Sequence, residues 1–257
     1  MNGAFYIGAT GLDAEQRALD VVANNITNVN TPGFKRSESR FSALVAPPSR
    51  MNRLAPYVSN STAQLLGVSV DASPLVFTQG AMQQTGQPLD VAINGEGFIE
   101  VLGAGGRTEL WRGGTLTVNA DGFLSASNGL PLKAMISVPI DATSVTVATD
   151  GSVQAVAGSS ANPSTIGQID LVRPKDMSTL SPLDDGMYQL QNDNDVTSSA
   201  PGVDGAGVLV PGSIEGSNVQ LTDEMVNLML LQRAYASNAE VVQAGDQLMA
   251  TANSLRR

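Results

Sequence analysis

The sequence predicts an α+β protein, with long N- and C-terminal helices that form a coiled-coil-like bundle and a central all-β domain. Two observations predict this class. Apolar residues recur at helical spacing at both ends of the 257-residue chain, and turn dipeptides typical of hairpins are spread through its middle. We expect four segments: an N-terminal helix and turn (1–45), an extended connector rich in Pro, Ser and Asn (46–66), the β domain (67–215) and a C-terminal helix (216–257).

The N-terminal helix is predicted over residues 3–29. One row at helical spacing consists of Leu12, Leu19, Val22, Ile26 and Val29. A second row, mostly of small residues, consists of Ala4, Ile7, Gly11, Ala14, Ala18, Val21 and Asn25. The pattern ends at Asn30–Gly33, because Pro32 disfavours helix for the residue before it and glycine favours a turn. A rise of about 1.5 Å per residue makes this helix about 40 Å long.

The C-terminal helix is predicted over residues 222–256, with Thr222 as its N-cap, and is about 50 Å long. One row alternates steps of three and four residues through Met225, Leu228, Gln232, Tyr235, Ala239, Val242, Asp246 and Met249. A second row does the same through Leu231, Ala234, Asn238, Val241, Gly245, Leu248, Ala252 and Leu255. This is the heptad spacing of coiled coils, and two rows on one helix indicate more than one neighbour. The terminal helices must pair with each other or with other copies.

The middle of the chain is predicted to be β-structure. Four dipeptides typical of hairpin turns occur there: Asn94-Gly95, Asp121-Gly122, Asn128-Gly129 and Asp150-Gly151. Short apolar runs flank several of these turns, for example Val145–Val147 and Val153–Val156 around the last one. This spacing is typical of an antiparallel sandwich or irregular barrel.

The composition excludes several classes of function. The chain has no histidine and no cysteine, which excludes Ser-His-Asp and Cys-His catalysis, zinc sites built on these residues and disulfides. Its net charge is −10 and it has three lysines, so we expect no nucleic-acid binding and no polybasic membrane contact. The sequence contains no run of 18 apolar residues, so we expect no membrane-spanning helix. Met1–Gln16 lacks the basic start of a cleavable signal peptide.

The acidic clusters Asp184–Asp185 and Asp193–Asp195 are interpreted as solvated loops. A calcium loop beginning at Asp193 requires Gly at the sixth place and Glu at the twelfth, where the chain has Ser198 and Asp204. Trp111 is interpreted as a packing residue. We expect no catalytic residue, no cofactor and no metal site.

Three separated blocks of sequence resemble the bacterial flagellar rod and hook axial proteins. Residues 23–36 read ANNITNVNTPGFKR, which resembles the family's N-terminal signature. Residues 77–98, from FTQG to GEGF, resemble the segment that leads into its β domain. Residues 212–219 (GSIEGSNV) and 231–235 (LQRAY) are similar to its C-terminal signature. The blocks occur in the family's order, and Gly11–Ala14 with the Asn-rich block is most similar to the distal-rod type. The proximal-rod type is the alternative.

The resemblance implies a structural subunit that polymerises through its terminal helices into the periplasmic drive shaft of the flagellum. It implies contacts with other copies, with neighbouring rod and hook proteins, with the surrounding basal-body rings and with the flagellar type III export apparatus. Export without a cleaved signal peptide agrees with the start of the chain. The β domain is expected to lie outside the helical tube, and torque would pass through the bundled helices.

The residues expected at the assembly interface come from both terminal blocks and the rows of the C-terminal helix: Asn24, Asn25, Asn28, Asn30, Thr31, Pro32, Gly33, Phe34, Ser217, Asn218, Met225, Leu228, Leu231, Gln232, Tyr235, Val241, Val242, Leu248 and Met249. Two interpretations of the Asn residues stay open. They cap turns at a frayed helix end, or they form hydrogen bonds between helices that fix the register. Two interpretations also stay open for three residues of the first C-terminal row, Gln232, Tyr235 and Asp246. They are partly solvated, or they face polar groups of a neighbouring subunit.

Two other classes of function are compatible with parts of the sequence. An acidic secreted hydrolase with two catalytic carboxylates needs neither His nor Cys. A binding module or adhesin would use one face of the β domain. Neither explains heptad rows at both ends of the chain, and self-association that falls on dilution distinguishes an assembling protein from both.

Overall fold

The structure is a computed structural model that describes residues 2–45, 65–71, 74–158, 162–190, 192 and 195–254. These residues form two α-helices, α1 (Asn2–Thr27) and α2 (Leu221–Ser254). They also form eighteen strands: β1 (Arg40–Val45), β2 (Leu65–Asp71), β3 (Met82–Gln84), β4 (Asp90–Asn94), β5 (Ile99–Leu102), β6 (Thr108–Trp111), β7 (Gly113–Thr115), β8 (Thr117–Val118), β9 (Leu124–Ser125), β10 (Ala142–Val147), β11 (Ser152–Ala157), β12 (Ser164–Gln168), β13 (Leu171–Pro174), β14 (Ser181–Pro182), β15 (Met187–Gln189), β16 (Val196–Ser199), β17 (Val208–Pro211) and β18 (Ser213–Glu215).

The chain divides into two compact units. The helical unit comprises residues 1–26, 37–74 and 221–257, and the β unit comprises residues 27–36 and 75–220. The α+β class is therefore confirmed, with a helix towards each end and a β-rich centre. No helix of the described ranges is long and apolar enough to cross a membrane.

The two helices of the helical unit run antiparallel and contact each other. A β-carbon built on Gly8 would lie 2.7 Å from Cγ2 of Val242, and one built on Gly11 would lie 3.5 Å from Nδ2 of Asn238. Asn238 also donates a hydrogen bond of 2.6 Å to Oε1 of Glu15. Small residues on α1 therefore let α2 approach closely. These contacts join two helices of one chain, and the coiled-coil bundle stays a prediction.

Only part of each predicted helical row is covered within the chain. On α1 the buried side chains are Ala14, Glu15, Ala18, Val22 and Asn25, most of them from the predicted small-residue row. On α2 the half-buried residues come from both predicted rows and include Leu228, Leu231, Ala234, Asn238, Val242 and Met249. The stripe of α2 that is covered within the chain therefore lies between the two rows.

A two-stranded ribbon completes the helical unit. Strands β1 and β2 pair antiparallel, from Arg40 opposite Asp71 to Leu44 opposite Gly67. Gly67 packs on α1, because a β-carbon there would collide with the hydroxyl of Thr10. Most of the predicted connector, residues 46–64, lies outside the described residues.

Two apolar clusters form the core of the β unit. The larger one contains Trp111, whose interpretation as a packing residue is confirmed, with Ile93, Ile99, Leu132 and Leu171 among its members. The smaller one contains Phe98, Leu110, Val172, Leu180, Tyr188 and Leu190. In it the rings of Phe77, Phe98 and Tyr188 meet edge to face, with centroids 5.6–5.8 Å apart. All paired strands of the described residues are antiparallel, and β4 lies between β17 and β7.

Three of the four predicted hairpin turns are confirmed. Asp121-Gly122 joins β8 to β9, Asp150-Gly151 joins β10 to β11, and Asn128-Gly129 closes a turn in which Ser125 bridges to Pro131. The prediction at Asn94-Gly95 is wrong, because β4 and β5 do not pair. There the guanidinium of Arg112 donates a hydrogen bond of 2.5 Å to the carbonyl of Gly95.

Candidate assembly site

The N-terminal and C-terminal signature blocks meet inside the β unit. The backbone N–H of Gly33 donates to the carbonyl of Glu215 at 2.8 Å, and the N–H of Asn218 donates to the carbonyl of Phe34 at 3.4 Å. The N–H of Arg36 donates to Oδ1 of Asn218 at 2.7 Å. Two stretches of chain that lie about 180 residues apart, and that lead to α1 and α2, are therefore bonded side by side.

Gly33 occupies a position that only glycine fits well. Its φ angle is +70°, in the left-handed region that other residues rarely adopt. A β-carbon there would lie 3.2 Å from Cβ of Arg112. Its carbonyl accepts a hydrogen bond of 3.1 Å from the buried hydroxyl of Tyr188. The turn that the sequence predicted at this point is thus fixed by both conformation and packing.

A buried ionic cluster of Lys35, Arg112 and Glu215 lies beneath the two blocks. Nζ of Lys35 is 2.5 Å from Oε1 of Glu215, and Nε of Arg112 is 2.9 Å from Oε2. All three side chains are at least 94% buried. A single carboxylate therefore holds two cations, one from the N-terminal block and one from the residue just before β7.

The remaining polar atoms of this ionic cluster also have partners. Lys35 donates to the carbonyl of Thr78 at 2.9 Å, and the Arg112 guanidinium donates to the carbonyls of Gly95 and Gly97 at 2.5 Å each. The backbone N–H of Gly80 donates to Oε1 of Glu215 at 2.8 Å. Burial lowers the pKa of Lys35, and the hydrogen bond that Lys35 donates to Glu215 partly offsets that effect.

Asn218 joins three stretches of the β unit. Its amide group donates to the carbonyl of Val76 at 2.7 Å and to the carbonyl of Thr78 at 3.1 Å, while its oxygen accepts from Arg36. Ser217 beside it accepts from the N–H of Val219 at 3.2 Å. Both predicted interface residues therefore have bonds inside their own chain.

The Asn-rich turn also forms bonds within the chain. In the helical unit, the buried Asn25 exchanges two hydrogen bonds of 2.9 Å with the backbone of Ser37. In the β unit, the hydroxyl of Thr31 donates to Oδ1 of Asn28 at 3.1 Å, and its N–H donates to the Asn28 carbonyl. The Asn28–Thr31 bonds close a local turn, as in the capping interpretation, whereas Asn25 bonds to backbone 12 residues away. A role in contacts with other subunits stays a prediction for these residues and for the exposed Asn24, Asn30 and Pro32.

The predicted interface residues of α2 fall into two groups. Leu228, Leu231, Val242 and Met249 are half-buried within the chain. Met225, Gln232, Tyr235, Val241 and Leu248 are exposed, and the last two retain 62% and 67% of their accessible surface. Val226, Met229 and Leu230 are also exposed, so α2 presents more apolar surface than its own chain covers.

Sequence reasoning missed the ionic cluster and the hydrogen bond from Tyr188. One signal could have indicated the Lys35–Glu215 pair: Glu215 is the acid of its signature block, and Lys35 is one of two adjacent bases in the other. No spacing rule in the sequence links Arg112 to Lys35 or Glu215, because the contact between Arg112 and Glu215 depends on how β7 is placed. The acidic pair Asp184–Asp185 is exposed, and no cluster of possible metal ligands occurs among the described residues. Asp193 and Asn194 lie outside those residues.

The described residues thus combine two long helices near the ends of the chain with a β-rich centre in which the signature blocks are joined. Three family models match the chain: flagella basal body rod protein over residues 5–35, flagellar hook protein FlgE/F/G D1 domain over 92–155, and flagellar basal body rod FlgEFG protein C-terminal over 210–255. The chain belongs to the flagellar basal-body rod protein family, and it is a structural subunit of the flagellar rod.

Curated relatives match the chain over nearly its whole length. It is 34% identical over 251 residues to the flagellar basal-body rod protein FlgG of Buchnera aphidicola subsp. Acyrthosiphon pisum, with 96% of each chain covered. It is 35% identical over 251 residues to the FlgG of Agrobacterium fabrum, covering 95% of this chain and 96% of that one. It is also 33% identical over 256 residues to the rod protein FlgF of Caulobacter vibrioides, covering 98% and 97%.

Proposed function

We propose that this chain is a distal-rod subunit that polymerises through its terminal helices into a helical tube, the drive shaft that transmits torque across the periplasm. The observation that carries the proposal is the similarity to proteins named FlgG, the distal-rod type, over nearly the full length. Segments 1–45 and 216–257 form the tube in this account, and segment 67–215 lies outside it. The chain acts as structure rather than as an enzyme and needs no cofactor.

The exposed apolar surface of α2 supports polymerisation through the helices. A helix that carries apolar residues around most of its circumference is normally buried over most of its surface. Between Leu221 and Leu231 the helix carries five exposed apolar side chains: Leu221, Met225, Val226, Met229 and Leu230. Copies of the chain that pack as a coiled-coil-like bundle would cover this surface, and the predicted interface residues would lie at their contacts.

The partners follow from this role. In a basal-body rod the ends of the tube contact neighbouring rod and hook proteins, and its outside faces the surrounding rings. The subunits reach it through the flagellar export apparatus. A second candidate, a proximal-rod subunit, is favoured by the 33% identity to the FlgF of Caulobacter vibrioides over 256 residues. The two candidates share the assembly mechanism and differ in the position along the rod.

Complementation tests the position of the subunit along the rod. The chain is expressed from a plasmid in its own host, in strains that lack either the distal or the proximal rod gene. We expect swimming to return only in the strain without the distal rod protein. Recovery only in the strain without the proximal rod protein would contradict the distal assignment.

Assembly of the purified chain tests the mechanism separately. We expect ordered tubes by electron microscopy above a critical concentration and dissociation on dilution. A chain that stays monomeric at every concentration, although it restores swimming, would contradict polymerisation through its own helices.

A further inference from the structure

One carboxylate in the helical unit has an oxygen without a partner. Glu15 of α1 retains only 8% of its accessible surface. Its Oε1 accepts the 2.6 Å hydrogen bond from Asn238 of α2. Its Oε2 is buried and has no hydrogen-bond donor among the described residues. A buried carboxylate with an unsatisfied oxygen is costly in its ionised form.

The surroundings of Glu15 favour the neutral acid. Burial raises its pKa above the usual 4.5, and the hydrogen bond from Asn238 only partly offsets this. The other charged residues of the helical unit whose side chains are described are exposed, apart from Glu224: Asp13, Arg17, Asp20, Glu38, Arg40, Asp223, Arg233, Glu240 and Asp246. Glu224 lies 14 residues from Asn238, about 21 Å along α2.

Two contacts of the described residues bear on the register of this helix pair. Val242 packs where Gly8 leaves room, since a β-carbon at Gly8 would lie 2.7 Å from its Cγ2. Asn238 lies between Gly11 and Glu15 and donates a hydrogen bond to the latter. A slip of one turn would remove this bond and leave both carboxylate oxygens without a donor.

We propose that the Glu15–Asn238 hydrogen bond sets the axial register of α1 against α2. A single buried polar contact is known to fix register in helical assemblies, where apolar contacts alone permit several alignments. In the register of the structure the hydrogen bond from Asn238 stabilises the ionised carboxylate, and a slip removes that donor, so ionisation of Glu15 strengthens the preference for this register. The register is thus sensitive to protonation.

Cross-linking measures the register directly, because the chain has no cysteine of its own. In the register of the structure, G8C and V242C bring two β-carbons within disulfide distance, since the β-carbon at position 8 would lie 2.7 Å from Cγ2 of Val242. G8C with G245C reports a slip of about one turn, and a side chain at Gly245 meets nothing within 4 Å. The ratio of the two intrachain disulfides is measured in the dilute full-length chain. Taking the ratio at each pH removes the shared effect of thiol ionisation.

We expect the ratio to rise as the pH rises through the pKa of Glu15, because the ionised carboxylate gains more from the hydrogen bond that Asn238 donates. In the E15Q variant, which cannot ionise, the ratio should be the same at every pH. In the E15A/N238A double variant it should fall about tenfold at every pH, the loss expected for a buried hydrogen-bonded pair. The D20N variant, which neutralises an exposed acid of the same helix, should behave like the unmodified sequence.

Two results would overturn the proposal. An unchanged ratio in E15A/N238A, or a parallel loss of both disulfides, would show that this pair does not select the register. A pH profile in E15Q that matches that of the unmodified sequence would show that another group titrates.

Discussion

The β unit completes its core within one chain, and the helical unit does not. The β unit buries two apolar clusters around Trp111 and Phe98. In the described part of the helical unit the buried apolar side chains are Ala14, Ala18 and Val22, while α2 leaves large side chains such as Met229 and Leu248 exposed. Stability follows the apolar area that is removed from water. The comparison therefore indicates that the β unit is stable alone, and under the proposed function the helices would gain their stability in the assembly.

The boundary between the two units falls within the N-terminal signature block. Residues 27–36 follow directly on α1 but belong to the β unit, because Gly33, Lys35 and Arg36 are bonded to the block around Glu215. Both stretches that lead to the helices are therefore fixed in the stable part of the molecule.

The largest effect is expected from Glu215→Ala. It leaves Lys35 and Arg112 buried without their anion, which should lower the free energy of unfolding of the β unit by about 3–5 kcal/mol. The single tryptophan, Trp111, lies in the core of this unit, so its fluorescence during denaturant unfolding reports the change. Glu100→Ala is the control, because Glu100 pairs with the partly exposed Lys133 and its loss should cost about 1 kcal/mol or less. Equal effects of the two variants would contradict a structural role for the ionic cluster.

A charge in the helix contact should abolish assembly and leave the β unit intact. Val242→Asp places a carboxylate against Gly8, and the cost recurs in every copy of a polymer. We expect swimming to be lost while the subunit stays soluble and the Trp111 unfolding transition is unchanged. Gln243→Asp, an exposed neighbour, should still support swimming. Normal swimming with Val242→Asp would remove this contact from the mechanism.

Fragments separate the two units. Residues 75–220 and 27–220 should both be soluble, β-rich monomers that form no tubes, because both lack α2 and nearly all of α1. The longer fragment should be more stable by about 1–3 kcal/mol, since it retains Lys35 and the bonds around Gly33. Denaturant unfolding followed by Trp111 fluorescence gives the difference. Equal stability would mean that residues 27–36 contribute nothing to the β unit, and tubes from either fragment would place assembly in the β unit.

The smallest effect is expected from the exposed ion pair on α1. Arg17 and Asp13 lie one turn apart at 3.1 Å, with their side chains 63% and 65% exposed. Because water screens such pairs, Arg17→Ala should change the stability of the helical unit by about 0.5 kcal/mol or less. Thermal unfolding followed by the helical circular dichroism signal measures this. A loss of several kcal/mol would show that the outer face of α1 carries more stability than its exposure indicates.

The sequence predicts the parts of the fold that depend on local patterns. The bounds of α1 and α2 lie within two residues of the predicted ones, and the first helix ends before Pro32 as expected. The second helix begins at Leu221, so the predicted N-cap Thr222 lies inside it. The turns at Asp121, Asn128 and Asp150 form because the side chain of each, or of Asn119 nearby, accepts local backbone hydrogen bonds. These interactions span four residues or fewer.

Contacts between distant residues escaped the same reasoning. Asn94-Gly95 has a hairpin sequence, yet Arg112 binds the carbonyl of Gly95 and the hairpin does not form. Lys35 meets Glu215 across 180 residues, and only the completed β unit brings them together. Of the predicted assembly residues, Asn25, Gly33 and Asn218 form bonds within the chain that the sequence pattern did not reveal.

Hydrogen exchange of the dilute monomer and of assembled tubes tests the contrast between the two units most directly. In the monomer we expect slow exchange at Phe98 and Val172, which are bonded to each other, and at Gly33, whose N–H donates to Glu215. The amides of α1 and α2 should exchange fast in the monomer and become protected in the tube. Helices as strongly protected as the β unit in a proven monomer would contradict the account, because they would then be complete without neighbours.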